Sequence, residues 1–182
     1  GFCSGTNYMF SIGSGRDTHY DDRHPTDGMI WERSFAPLAR CTDGTSNTVL
    51  IAESLLGNKG NTTIQPQRNE LQRMIANWSG TTGNPSGPGF TSGGSLIVNP
   101  DLTTIFPSQI ASYRGNRGES WIRGVPYATL TNGYLTPNHP IPDVGIHGRG
   151  FYSARSQHTG GAQLGYLDGS VRFVANSVDR VT

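Results

Sequence analysis

The sequence predicts one α+β domain, residues 1–182, in which an antiparallel β-sheet dominates and long Gly/Pro-rich loops join one or two short helices. Three observations carry this prediction. The chain has 25 Gly and 11 Pro residues, which favour turns and exclude an all-helical fold. The run Thr48–Glu53 is nearly continuous in apolar residues and has strand length. Near the C-terminus, Asp168-Gly169 separates two short β-prone segments, as in a β-hairpin.

Two more strands are predicted in the N-terminal part of the chain, at Asn7–Ile12 and Gly28–Glu32. Both are short, apolar-rich segments bounded by polar turn residues. Thr48–Glu53 follows the turn-forming segment Thr42–Asn47 and is the best candidate for a strand buried on both faces.

A helix is predicted over Asn69–Trp78. Leu71, Met74, Ile75 and Trp78 are spaced i, i+3, i+4, i+7 and would form one apolar stripe. Pro107–Arg114 is predicted as one or two helical turns, with its proline in the first turn.

Two segments are predicted to be irregular. Residues 79–95 consist mostly of Gly, Ser, Thr, Pro and Asn, a composition that predicts a surface loop or insertion. Thr136–Asp143 holds three prolines and is predicted as extended coil.

The C-terminal hairpin is predicted with a two-residue type I′ turn at its Asp-Gly pair. In that register Tyr166 faces Val171 and Leu164 faces Phe173. These four side chains would therefore share one face of the hairpin, which we expect to be core.

The charge balance excludes several classes of partner. The chain has 14 Lys+Arg against 13 Asp+Glu, a formal net charge of +1, and no run of like charges. A nucleic-acid or anionic-membrane binder would show a basic patch, so neither partner is expected. No segment approaches the roughly 18–20 apolar residues that a membrane-spanning helix needs.

One C-terminal pattern is a His followed by nine residues and an Asp-Gly pair, with two glycines just behind the His. Its residues are His158, Gly160, Gly161, Asp168 and Gly169. Upstream, Cys41–Glu53 reads Cys-Thr-Asp-Gly-Thr-Ser-Asn-Thr-Val-Leu-Ile-Ala-Glu. Together these segments resemble the DUF1559 family, whose members are typically prepilin-like and carry a C-terminal H-X9-DG signature. Ser4–Tyr8, Trp121–Gly124 and Thr136–Asn138 are similar to further family segments, in family order.

The resemblance implies the extracytoplasmic head domain of a bacterial pilin-like or pseudopilin-like protein, on the cell surface or secreted. Members of this kind carry an N-terminal leader and a long apolar helix, which we do not find in this sequence. The implied partners are like subunits or other pilin-like proteins, and the membrane only through such a helix. The implied role is structural and non-enzymatic, in a surface filament or a secretion-associated assembly.

The segment Asp43–Thr48 is interpreted as a structural turn in which Asp43, Gly44, Ser46 and Asn47 start the following strand. The alternative is a Ca²⁺ site that uses Asp43 with Ser46 or Asn47 and a backbone carbonyl. No cofactor is otherwise expected.

His158 is interpreted as a structural residue that holds the Gly160-Gly161 loop by hydrogen bonds. The alternative is a catalytic triad with Asp168 and Ser46. Ser46 is not in a Gly-x-Ser-x-Gly elbow and Asp168 is needed at its turn, so we predict no catalytic residues.

A second polar cluster contains His19, Asp21, Asp22 and His24. Folded as a turn, these side chains would suit Zn²⁺ or another transition metal. Polar clusters in loops are more often solvated, so this is a weak metal candidate. A metal-dependent hydrolase would need His19, His24 or His158 to meet carboxylates in one cleft.

Aromatic residues offer a rival function, a cell-surface carbohydrate-binding module. Such a module would present a row of exposed rings at sheet spacing. The candidates are Trp31, Trp78, Trp121, Tyr127 and Tyr134, for which core packing is the alternative.

We predict a disulfide between Cys3 and Cys41, the two cysteines of a domain that the resemblance places outside the cytoplasm. Closing a loop of about 38 residues would stabilise the fold by roughly 4 kcal/mol on the chain-entropy model. The alternative is that each cysteine pairs with another cysteine, in an N-terminal part of the protein outside this sequence. Intact-mass measurement after alkylation without reductant checks the bond, and two alkylated thiols on the folded protein would rule it out.

Overall fold

A computed structural model describes residues 4–18, 20–78, 99–146 and 149–179. Within these ranges ten strands form two five-stranded sheets, and the helices are each a single turn. The prediction of an α+β domain dominated by β-structure is confirmed. The loop predicted at 79–95 lies outside the described residues.

The first sheet, sheet A, joins strands from both ends of the chain. It contains β1 (Tyr8–Ser11), β2 (Val49–Glu53), β6 (Leu130–Thr131), β9 (Gly161–Tyr166) and β10 (Val171–Ala175), in the order β10-β9-β2-β1-β6. β1 runs parallel to β6, and the other neighbours are antiparallel.

The second sheet, sheet B, is built from the middle of the chain. It contains β3 (Asn61–Thr62), β4 (Ile75–Trp78), β5 (Ile110–Arg114), β7 (Asp143–Ile146) and β8 (Arg149–Phe151), in the order β3-β5-β4-β7-β8. β4 and β7 are parallel, while the remaining pairs are antiparallel. The prediction of an antiparallel sheet was therefore wrong, because each sheet is mixed.

The helices are α1 (Arg68–Leu71), α2 (Leu102–Ile105), α3 (Pro126–Thr129) and a 3₁₀ turn at Leu38–Arg40. α2 begins at Asp101, whose side chain accepts a hydrogen bond from Thr103 N at 2.9 Å. α3 has Pro126 in its first turn, where no intrahelical donor is needed.

The helix predicted over Asn69–Trp78 was wrong beyond Leu71. α1 ends there, and the rest of the apolar stripe becomes the interior strand β4. Pairing with β5 on one side and β7 on the other supplies main-chain hydrogen bonds that outweigh the helical spacing. Trp78 is buried and its Nε1 donates to Gln109 Oε1 at 3.0 Å.

Two other local predictions fail and two are confirmed. Pro107–Arg114 is not helical, because Ile110–Arg114 pairs with both β3 and β4. Gly28–Glu32 is not a strand, since Trp31 O accepts from Ser34 N at 3.0 Å and turns the chain. The strand at Asn7–Ile12 and the coil before Asp143 are present.

The C-terminal hairpin forms, but its register is shifted by one residue. Gly169 N donates to Tyr166 O at 3.0 Å, and Gly169 has a φ of +84°. The connection is thus a three-residue loop with a glycine bulge rather than a two-residue turn. Phe173 faces Gln163 instead of Leu164. A one-residue shift moves a side chain to the opposite face, so Phe173 is 49% exposed rather than core.

Large buried side chains lie mainly against sheet B. The principal core cluster contains Tyr20, Trp78, Leu102, Ile105, Tyr134, Leu135, Ile141, Val144, Ile146 and Phe151. Against sheet A the buried cluster consists of Ala52, Ala154 and Ala162 with Leu164 packed on it. β2 is accordingly half-buried except at Ala52, which corrects the prediction of a strand buried on both faces.

A buried ionic cluster connects the two sheets. Asp143 on β7 accepts from Arg155 Nε at 3.0 Å, and its second carboxylate oxygen lies 3.2 Å from Arg117 Nε. All three side chains are at most 3% exposed. Because an ion pair removed from water leaves an uncompensated charge when one partner is lost, this cluster constrains the fold.

The guanidinium groups of this cluster extend to backbone carbonyls of both layers. Arg117 Nη1 donates to Leu130 O of β6 at 2.8 Å, and Arg155 Nη2 donates to Ile141 O at 2.7 Å. Arg155 N also donates to Glu53 O of β2 at 2.9 Å. Burial lowers the pKa of Arg117, and the Asp143 carboxylate acts in the opposite direction.

Replacing Asp143 with Ala should lower the free energy of unfolding by about 3–5 kcal/mol, because two buried guanidinium groups would lose their counter-ion. Chemical denaturation measures the change. The control is Glu119→Ala, which removes a partly exposed carboxylate 3.6 Å from Arg123 and should change stability little. Equal effects of the two substitutions would contradict the assigned role of the buried cluster.

Candidate functional site

The two turns singled out in the sequence lie side by side at one end of sheet A. Asp168 N donates to Thr45 O at 3.2 Å, and Leu167 N donates to Thr48 O at 2.9 Å. This contact follows from the antiparallel pairing of β2 and β9. The sequence identified each turn separately but gave no signal that they touch.

The upstream turn is closed by its own side chains. Asn47 Nδ2 donates to Asp43 O at 2.9 Å, and Asn47 N donates to Gly44 O at 3.0 Å. Ser46 lies in the same turn. Asp43 and Asn47 also line a cavity against sheet A.

His158 pairs with Glu53, a partner that the sequence did not indicate. Its Nε2 lies 3.3 Å from Glu53 Oε1, while Glu53 Oε2 accepts from Gln163 N at 2.7 Å. His158 N donates to Ser156 Oγ, which in turn donates to Gly161 O at 2.6 Å. The motif His and the last residue of the Cys41–Glu53 segment therefore hold the start of β9 together.

Asp168 is occupied within its own turn. Its carboxylate accepts from Ser170 N at 2.9 Å and from Ser170 Oγ at 2.7 Å, and these bonds lower its pKa. The ring partner of His158 is Glu53 rather than Asp168. The alternative triad of His158, Asp168 and Ser46 therefore gains no hydrogen-bond support among the described residues.

Backbone conformation and close packing explain why glycine occupies four positions of the two motifs. Gly44, Gly160 and Gly169 have φ values of +89°, +88° and +84°, a region that disfavours residues with a side chain. Gly161 is different, because an added Cβ would lie 2.2 Å from Val174 O and 2.8 Å from the Phe173 ring.

The carboxylates of the second polar cluster are held by arginines. Burial alone would raise the pKa of Asp21, but the hydrogen-bonded Arg23 guanidinium keeps that pKa below its usual range. Burial raises the pKa of Asp22, which Arg149 at 3.2 Å offsets only in part. His19 lies outside the described residues, and His24 belongs to the same loop. In the described part of the chain, no three His, Cys, Asp or Glu side chains form a group able to hold a metal ion.

Cys41 carries a thiol 2.9 Å from Thr48 Oγ1. Cys3 lies outside the described residues, so the disulfide stays a prediction.

The five aromatic candidates do not form one platform. Trp78 and Tyr134 belong to the principal core cluster. Guanidinium groups lie over Trp31 and Tyr127, 4.3 Å and 5.3 Å from the ring centroids. Trp121 is 61% exposed.

An apolar surface that the sequence analysis did not predict lies on the outer face of sheet A. The outer apolar face consists of Tyr8, Phe10, Ile51, Val171 and Phe173. Phe10 faces Ile51, Ile51 faces Gly165, and Gly165 faces Val171, so one row crosses four strands. Tyr8 and Val171 are 61% and 67% exposed. A contiguous group of exposed apolar side chains is typical of an interaction surface.

The fold and its paired motifs define a two-sheet β-rich domain with an H-X9-DG hairpin. A family model described as "Protein of unknown function (DUF1559)" matches residues 1–181, and the chain belongs to this family. No curated protein and no solved structure matches the chain. None of the helices in the described ranges has the length and apolar character needed to cross a membrane.

Glu53→Ala should lower the free energy of unfolding by about 1–2 kcal/mol, because Gln163 N would lose its acceptor. Glu53→Gln keeps an acceptor oxygen and should restore most of that stability. His158→Ala, at a side chain 58% exposed, should cost less than Glu53→Ala. Thermal and chemical denaturation compare the three variants. A larger loss for His158→Ala than for Glu53→Ala would contradict the assigned order.

Proposed function

We propose that this chain is the extracytoplasmic head domain of a pilin-like protein, with a structural, non-enzymatic role in a surface filament or a secretion-associated assembly. Its partners are like subunits or other pilin-like proteins. The outer apolar face is the single observation that carries this proposal.

The outer apolar face has the chemistry of a packing surface. An antiparallel sheet with one solvated face normally alternates apolar residues inside with polar residues outside. Here Tyr8, Phe10 and Val171 point outward while Met9 and Ala52 are buried on the inner side. Leaving these outward side chains in water forgoes burial free energy of about 25 cal/mol per Å².

The shape of the face suits an apolar helix. Gly165 has no side chain and lies between Ile51 and Val171 in the row. A position without a side chain between two apolar residues leaves room for a ridge of helix side chains, as in other folds where helices pack on sheets. We therefore commit to an apolar helix of a pilin-like subunit as the occupant.

A carbohydrate-binding module is the second candidate. Tyr8, Phe10 and Phe173 are exposed rings on one sheet face, which is the arrangement that such a module requires. β1 and β10 are separated by two strands, so Tyr8 and Phe173 lie too far apart to stack on one sugar ring.

Site-specific photo-cross-linking in the full-length protein in its native cell tests the proposal. A photoreactive residue at Val171 should cross-link to a pilin-like helix, whereas the same residue at Ile64, 77% exposed and outside sheet A, should not. Equal cross-linking from both positions, or none from Val171 in an exported protein, would overturn it.

Gly165 supplies a matched pair of variants. A Cβ at this position would be 3.7 Å from Ile51 Cβ, an ordinary contact, so Gly165→Ala should be tolerated. Gly165→Arg should remain folded but lose assembly and the Val171 cross-link. If folded Gly165→Arg protein assembles normally, or if Tyr8→Ala abolishes binding to a glycan array, the packing role is wrong.

A further inference from the structure

A cavity of about 780 Å³ lies on the other side of sheet A, against its inner face. This volume falls within the range of small-molecule pockets. The cavity exists because the buried cluster on this face is built from alanines, whose side chains do not fill the space to the neighbouring layer. Its apolar floor contains Ala52, Leu135, Ala154, Leu164 and Val174.

The mouth of the cavity is acidic. Asp17, Asp27 and Asp43 come from three separate segments, line the cavity and are exposed. Each carboxylate accepts one hydrogen bond, Asp17 from Asn99 Nδ2 at 2.8 Å, Asp27 from Ser14 N at 2.9 Å and Asp43 from Thr42 Oγ1 at 3.4 Å. Among the residues that the structure describes, none of the three forms an ion pair. Asp179 and Arg16 also line the cavity.

The polar walls are fixed by hydrogen bonds to the backbone. Thr131 Oγ1 donates to Tyr152 O at 2.8 Å, and Asn132 Nδ2 donates to Gly150 O at 2.9 Å. Ser11 is 7% exposed and lines the cavity, and its hydroxyl accepts from Gly13 N at 3.3 Å. Its own hydroxyl proton has no acceptor within the described ranges. The polar walls of the cavity are therefore preformed.

We propose that this cavity binds a cationic amphiphile, an ammonium or guanidinium group carried on an apolar stem. The stem lies on the alanine and leucine floor, where burial of apolar surface supplies most of the affinity. The cation lies at the mouth among these three carboxylates, which have no cationic partner in the described ranges. Free alkylamines and Lys- or Arg-bearing apolar peptide segments share this chemistry.

Binding of three probes with one stem length tests the charge preference. Octylammonium should bind more tightly than octanol, and octanol more tightly than octanoate, as measured by calorimetry and by amide shifts in NMR spectra. A peptide, acetyl-Leu-Lys-Leu-amide, compared with its Gln counterpart, distinguishes a peptide source from a free amine. Equal affinity for octylammonium and octanoate, or no binding of either cationic probe at millimolar concentration, would overturn the proposal.

Two matched pairs of variants locate the site. Asp27→Asn with Asp43→Asn should weaken octylammonium binding by about tenfold, since exposed ion pairs are individually modest, whereas Glu32→Gln should not. Val174→Phe fills the cavity from β10 and should abolish binding, while Val171→Phe changes the outer face of the same strand. NMR spectra establish that each variant is folded. Binding that survives Val174→Phe would place the ligand elsewhere. Assembly is measured for both β10 variants as well. Loss of ligand binding then tests the cavity, and loss of assembly tests the packing role of the outer face, so the two proposals can fail separately.

Discussion

Asp143 places its carboxylate between two buried guanidinium groups, and both sheets depend on this contact. Arg155 donates to Asp143 on sheet B and, through its backbone N, to Glu53 on sheet A. Arg117 also donates a hydrogen bond to the backbone carbonyl of Leu130 on β6. Two cations against one carboxylate leave an excess of buried positive charge, which carbonyl acceptors and the Tyr152 ring, 4.7 Å from Arg117 Cζ, disperse. The cluster thus fixes how the two layers meet, whatever its net contribution to stability.

The principal core cluster lies against sheet B, whereas the buried cluster beside β2 and β9 of sheet A is built from alanines. Alanines at positions 52, 154 and 162 bury little area, so the inner face leaves a cavity instead of a filled core. On the opposite, outer face of sheet A, large apolar side chains are exposed to solvent, namely those of Tyr8, Phe10 and Val171. Both candidate interaction sites therefore follow from one feature, the uneven distribution of large side chains between the two sheets.

Local chemistry predicted part of this structure and long-range pairing decided the rest. The strand β2 and the hairpin were predictable because an apolar run and an Asp-Gly turn are local signals. The stripe ending at Trp78 became a strand because β5 and β7 flank it, which no local pattern indicates. The predicted register of the hairpin was wrong because of one glycine bulge at Gly169. The same error placed Val171 and Phe173 in the core, so the outer apolar face was not predicted. Asp43 was predicted as a turn residue, but the cavity that it lines also needs residues far along the chain, such as Leu135, Leu164 and Val174.

The glycines, Glu53 and His158 of the family signature stabilise the strand pairing of sheet A and do not themselves form either candidate binding surface. Gly44, Gly160 and Gly169 adopt backbone conformations that a side chain would strain. Glu53 and His158 then secure the start of β9 beside β2, and the two Asp-Gly turns secure its other end. These contacts set the register that alternates Gln163 and Gly165 outward with Ala162 and Leu164 inward. A motif of this kind fixes which side chains reach the outer face and which reach the cavity, and it leaves the identities of those side chains free to set the partner and the ligand.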